Sequence, residues 1–158
     1  MTPTILRALA VTAVLFGAGT ASACDRPGNL GALQSGVIAG VNAARKSAGL
    51  NALAASDALQ AAAQKHACDI AARDQLSHTG SNGSSVSGRI KSEGYRFRVA
   101  NENVAVGSKG PDGAVAQWMG SPPHRANILK SGTREIGVGV AVARDGSQYW
   151  VMVSAGRK

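Results

Sequence analysis

Only three histidines and three glutamates occur in this 158-residue sequence, and the stretch from His78 to Glu135 holds two of the histidines and all three glutamates. Imidazoles and carboxylates at the rim of a cleft are what a metal site or an acid–base site needs. His78 lies in a Gly/Ser/Asn-rich loop as Ser77-His78-Thr79. Glu102 lies in Asn101-Glu102-Asn103, read as the end of a strand. His124 follows Ser121-Pro122-Pro123, whose prolines restrict the backbone that presents the ring. Glu135 stands where the last hairpin starts. Loop and element-edge positions of this kind expose side chains while the elements hold them still. His78, Glu102, His124 and Glu135 are therefore the candidate catalytic tetrad. A plainer reading stands beside it, in which His124 and Glu102 pair across the cleft and only hold helices to the sheet. The third histidine, His66, falls on the apolar face of a helix, where such a residue reads as a hydrogen-bonded core group. No HExxH, CxxC or GxSxG pattern is present, so a covalent hydrolase has little support.

The elements that must position these groups follow from periodicity. Leu33, Val37, Ile38, Val41 and Ala44 fall at helical spacing, and Gly49 closes that helix. Ser56 reads as the N-cap of a longer, Ala-rich helix with Leu59, Ala62, Ala63, His66, Ala67 and Ile70 on one face. Ser85 caps a short helix that Gly94 stops. Tyr95, Phe97 and Val99 alternate with polar residues as a strand leading to Glu102. Pro111 and Asp112 open a further helix with Val115, Trp118 and Met119 inside, broken by Ser121-Pro122-Pro123. After Leu129 the period becomes two. Ile136, Val138, Val140 and Val142 alternate with small residues, Asp145-Gly146 turns the chain, and Tyr149 to Val153 returns. Helices first and an antiparallel hairpin last argue α+β, with helices covering a small antiparallel sheet.

Composition sets the location. Arg7 followed by the apolar stretch from Ala8 to Ala18 and by Ala21-Ser22-Ala23 reads as a signal peptide cleaved after Ala23. Residues 1–23 are thus a signal, 24–32 a lead-in and 33–158 one domain. The destination is secreted or periplasmic. Lipid attachment at Cys24 is the minor alternative, since Ala21 stands where a lipobox prefers Leu. No second apolar run is long enough to cross a membrane. Two cysteines, Cys24 and Cys68, suggest one disulfide in an oxidising compartment. The net charge of +8 favours anionic partners such as head groups or wall polymers, and export leaves nucleic acid the least suited of them. The basic residues are scattered along the chain, which reads as a solubility device. A monomer is expected.

Ser77-His78-Thr79, Asn101-Glu102-Asn103-Val104-Ala105, the run from Trp118 to Leu129 and Glu135-Ile136-Gly137-Val138-Gly139 occur in the order seen in the bacterial branch of the CAP superfamily. The sequence resembles that branch from about Val37 to its end. The resemblance implies an α-β-α sandwich with a cleft lined by two His and two Glu. His78 and Glu102 match the first His and the Glu-Asn motif, and His124 and Glu135 match the later two bacterial motifs. Eukaryotic members place a Glu and a His in those two later regions in the opposite order. The resemblance also implies a divalent metal, commonly zinc through His78 and His124, with Asn103, Asn127 and Arg125 as supporting groups. By the same analogy the ligand is a lipid or a cell-envelope component. The alternative is a metal-dependent, protease-like hydrolase in the same cleft. A third reading is an envelope scaffold that works through its outer surface.

Overall fold

The computed structural model describes residues 24–158, and the expected signal peptide lies outside them. In chain order the elements are α1 (Leu30–Ser47), β1 (Ala54–Ala55), α2 (Asp57–Ala72), α3 (Val86–Ser92), β2 (Phe97–Val106), α4 (Gly110–Gly120), α5 (Pro122–Ile128), β3 (Glu135–Val142) and β4 (Gln148–Arg157). The sheet order is β1-β3-β4-β2. The hairpin expected from the closing period-two run, β3 with β4, therefore occupies the middle of the sheet, and β2 pairs antiparallel with β4 at one edge. The sheet is mixed rather than wholly antiparallel, because the two residues of β1 pair parallel with Glu135 and Ile136.

Alternation along the strands sends two sets of apolar residues to opposite faces. Val104, Val151 and Val153 pack with Leu59, Ala63, Ala67 and Ile70 of α2 and with Ile90 of α3. On the other face Ile136, Val138, Trp150 and Met152 meet Val37 and Val41 of α1, Trp118 of α4 and Ile128 of α5. The result is the three-layer α-β-α sandwich that the resemblance implied.

The small residues of β3 have a specific purpose. A Cβ on Gly137 would lie 2.5 Å from the Leu59 carbonyl oxygen, and one on Gly139 would lie 2.5 Å from the Gln64 nitrogen. The α2 backbone thus rests directly on β3, with no side chain between them. Gln64 completes the seam: its amide donates to Val140 O at 2.8 Å and its oxygen accepts from Val140 N at 3.0 Å.

Two features tie the outer elements down. Arg45, at 1% exposure, donates to Asn51 O, Ile128 O and Lys130 O at 2.8–3.0 Å, so carbonyl oxygens rather than a carboxylate satisfy it. It fixes the end of α1 to the end of α5. Cys24 and Cys68 form the expected disulfide, which joins the lead-in to α2.

Local signals succeed in part. Ser85 accepts from Gly88 N at 3.2 Å as the N-cap of α3, whereas Ser56 occupies the N-cap position of α2 without a side-chain cap bond. Ser121-Pro122-Pro123 does end α4, but it also begins α5, with proline in the first turn. Proline lacks only an N–H that a first turn leaves unpaired, so it starts helices as readily as it stops them.

Candidate functional site

The site grows from the free edge of β2. Glu102 lies in the middle of that strand rather than at its end, and its side chain is only 2% exposed. A buried carboxylate needs partners for both oxygens. Oε1 accepts from His78 Nδ1 at 2.9 Å, and Oε2 accepts from Arg89 Nη2 at 2.6 Å. A carboxylate has no proton to give, so a hydrogen sits on His78 Nδ1, and in the neutral ring Nε2 is the bare nitrogen. The His78 side chain is 57% exposed. The hydrogen bond to Glu102 raises its pKa above the ordinary value, against the opposing effects of burial and of Arg89.

The loop carrying His78 is held from behind. Arg89 donates to His78 O at 3.1 Å and to Ser84 O at 2.8 Å. His66 Nε2 donates to Ser77 O at 2.8 Å and lies 3.8 Å from Glu102 Oε1, beyond hydrogen-bond range. His66 is thus the hydrogen-bonded core residue expected, and it also anchors the loop beside the site. Burial lowers its pKa, which favours the neutral ring, and its Nδ1 is buried without a partner.

His124 reaches the same edge from α5. Asn103 Nδ2 donates to His124 O at 2.9 Å, and Asn127 Nδ2 donates to Asn103 Oδ1 at 2.9 Å and to Glu102 O at 3.2 Å. Trp118 Nε1 closes the next carbonyl of the edge, Val104 O, at 3.2 Å. Asn103 and Asn127 therefore satisfy backbone groups as expected, while Arg125 stays exposed on α5. Burial and the charge on His78 together lower the His124 pKa, and its Nδ1 is buried without a hydrogen-bond partner. The pair that the plainer reading placed across the cleft, His124 with Glu102, is made instead by His78 with Glu102.

Glu135 shares the sheet face of Glu102 but is aligned with Ala155, two residues along β4 from Val153, the partner of Glu102. It accepts from Tyr95 Oη, and from Arg157 Nε at 2.9 Å, and the Arg157 guanidinium stacks 4.3 Å from the Tyr95 ring centre. Burial tends to raise the Glu135 carboxyl, but Tyr95 and Arg157 outweigh it and hold the pKa below the ordinary value. The fold thus brings together His78, Glu102 and His124 and gives Glu135 to a separate Tyr–Arg cluster. Sequence reasoning missed Arg89 and Tyr95. Arg89 sits four residues after the Ser85 cap, on a helix whose Val86 and Ile90 mark the inner face, and that spacing was the available signal.

Comparison with known proteins fits this fold. Residues 38–154 match the CAP family, described as the cysteine-rich secretory protein family. The Bacillus subtilis protein YkwD is 32% identical over 120 residues, which cover 76% of this chain and 47% of YkwD. The chain thus spans about half the length of that relative. An outer surface protein of Borrelia burgdorferi superposes with a TM-score of 0.71 at 24% identity, covering 77% of this chain and 90% of its own. An extracellular SCP-domain protein of Bacillus anthracis superposes with a TM-score of 0.68 at 24% identity, covering 81% of this chain and 41% of its own. At these identities the structural likenesses speak for the fold.

Proposed function

Because the chain belongs to the CAP, or cysteine-rich secretory protein, family, we propose that it is an exported binding protein of the bacterial envelope. Its cleft, built on His78, Glu102 and His124, takes a lipid or envelope component together with a divalent cation held by the two imidazoles. The observation that carries this reading is the state of the two rings. Glu102 fixes the hydrogen of His78 on Nδ1 and leaves Nε2 bare, and His124 has a buried nitrogen that no protein group satisfies. A carboxylate that orients a histidine in this way is the usual support of a zinc ligand.

The residues fit such an ion as two donors. Among the described residues no group of three or more His, Cys, Asp or Glu is placed to hold a metal, so water or the ligand completes the shell. When bound, the cation supplies a Lewis-acid anchor for an anionic group. A groove of about 380 Å³ lined by Met119, Pro122, Ala126, Leu129 and Arg125 runs beside α5 and suits the apolar part of an amphiphile. The hydrolase alternative that uses Glu102 or Glu135 as general base needs a carboxylate free to take a proton from water. Glu102 is committed to His78 and Arg89, and Glu135 to Tyr95 and Arg157, which weighs for binding over hydrolysis. Export agrees with the disulfide, a bond of oxidising compartments. With Cys24 Sγ bonded to Cys68, that sulfur is not free for lipid attachment.

Calorimetric titration of the metal-free processed protein with zinc tests the reading. Binding at micromolar affinity or tighter is expected, and His78→Ala and His124→Ala should each abolish it. Metal needs the unprotonated ring, and the His78 pKa is raised, so affinity should weaken as pH falls through that raised value. No heat from the wild-type protein at any pH would sink the metal-assisted form of the proposal.

A further inference from the structure

The fold adds the end of β4 to a cluster of cations between Lys91 and Arg98. β2 and β3 begin, and β4 ends, at one end of the sheet, where Phe97 pairs with Arg157 and Lys158 N donates to Arg96 O. Lys91, Arg96, Arg98 and Lys158 are all exposed there, and none has a carboxylate partner within ion-pair distance among the described residues. The counter-charge at this end is Glu135, already paired with Arg157. Glu93, nearby, is paired with Lys65 at 2.7 Å. The opposite end of the sheet differs, because Arg73, Lys109 and Arg144 are interleaved there with Asp74, Asp112 and Asp145.

The cationic end also has a shaped hollow. A cavity of about 430 Å³ is lined by Lys91, Arg96, Lys158, Tyr95 and Phe97, with Ser87 and Gly94, and no acidic side chain contributes to it. Tyr95 forms a rigid floor, held through its hydroxyl by Glu135 and across its ring by Arg157. Phe97 is partly exposed among the cations. Long basic side chains around an aromatic residue match a lipid–water boundary, where the stems lie along apolar surface and the charges meet phosphate.

We propose that this end of the sheet docks the protein on a membrane surface through the phosphate headgroups of anionic phospholipids. It is a site separate from the His78–Glu102–His124 cleft, and it does not depend on metal. A phospholipid surface is favoured over a soluble phosphate ester because the unpaired cations extend beyond the hollow to Arg98, farther than one small anion spans.

Co-sedimentation of the processed protein with vesicles tests this. Vesicles containing phosphatidylglycerol should retain the protein, and pure phosphatidylcholine vesicles should not. Lys91→Ser, Arg96→Ser and Lys158→Ser together should weaken retention on the order of a hundredfold, at roughly fivefold per cation. Arg26→Ser, Lys109→Ser and Arg144→Ser together remove the same charge elsewhere and should leave retention within a few fold of the wild type. Equal losses in the two triple variants would overturn the proposal by showing only net charge at work. Glycerol phosphate that binds the hollow without any preference for anionic vesicles would overturn the membrane as its source. Retention should be the same with and without a metal chelator, and retention that disappears on chelation would assign vesicle binding to the cleft and refute this site.

Discussion

Arg89→Met is expected to destabilise the protein by about 3–5 kcal/mol, the cost of stripping one partner from a buried ion pair. Glu102 would then keep a charge in a site only 2% exposed to water, with one oxygen left unpartnered. The same substitution removes the donors to His78 O and Ser84 O, so the loop bearing His78 loosens as well. Urea unfolding measures the loss. Adding Glu102→Leu should recover part of it, because an apolar pair of similar volume avoids the uncompensated charge. A cost for Arg89→Met below about 1 kcal/mol, in the range of exposed ion pairs, would mean that Glu102 is solvated and that the order of the site comes from elsewhere.

Gly139→Ala is expected to cost about 3 kcal/mol, at the upper end of overpacking. The atoms that a Cβ would meet, the Ala63 carbonyl and Gln64 N, are helix backbone and cannot rotate away. Relief requires α2 to lift from β3, which would also strain the Gln64 bonds to Val140 and move His66 relative to Ser77. Gly31→Ala provides the contrast: its Cβ meets nothing within 4 Å, and alanine in a helix should be neutral or stabilising by up to about 1 kcal/mol. Thermal unfolding of the two variants checks this. Equal melting temperatures would show that α2 and β3 are not packed backbone to backbone.

These two positions mark where the sequence was legible and where it was not. Ile136, Val138 and Val140 announce their strand by alternation, and Gly137 and Gly139 read only as its small-residue face. That the helix resting on them is α2 is a tertiary fact no local pattern carries. His78 and Glu102 were recognisable through their motifs, but Arg89 belongs to none of them and drew no reading on its short helix. Its burial depends on where the loop from His78 to Ser84 crosses it. Glu135 had the motif without the neighbours, because β4 separates β3 from β2 and turns it toward Tyr95 and Arg157. The proline pair before His124 read as a break, since the same residue that ends one helix can open another. Charge was legible in part: Lys91, Arg96 and Arg98 lie within eight residues, but Lys158 joins them only when β2 and β4 pair.

The nitrogens of the imidazoles provide the most direct test of the cleft. Two-dimensional 15N–1H spectra of the histidine rings, recorded above the raised pKa of His78 before and after adding zinc, report which nitrogen carries hydrogen and which meets metal. The account predicts His78 protonated at Nδ1 with Nε2 bare before addition, then ring shifts at His78 and His124 together while His66 stays fixed on Ser77. His78 protonated at Nε2 instead, or zinc moving His66 and leaving the other two unchanged, would contradict it.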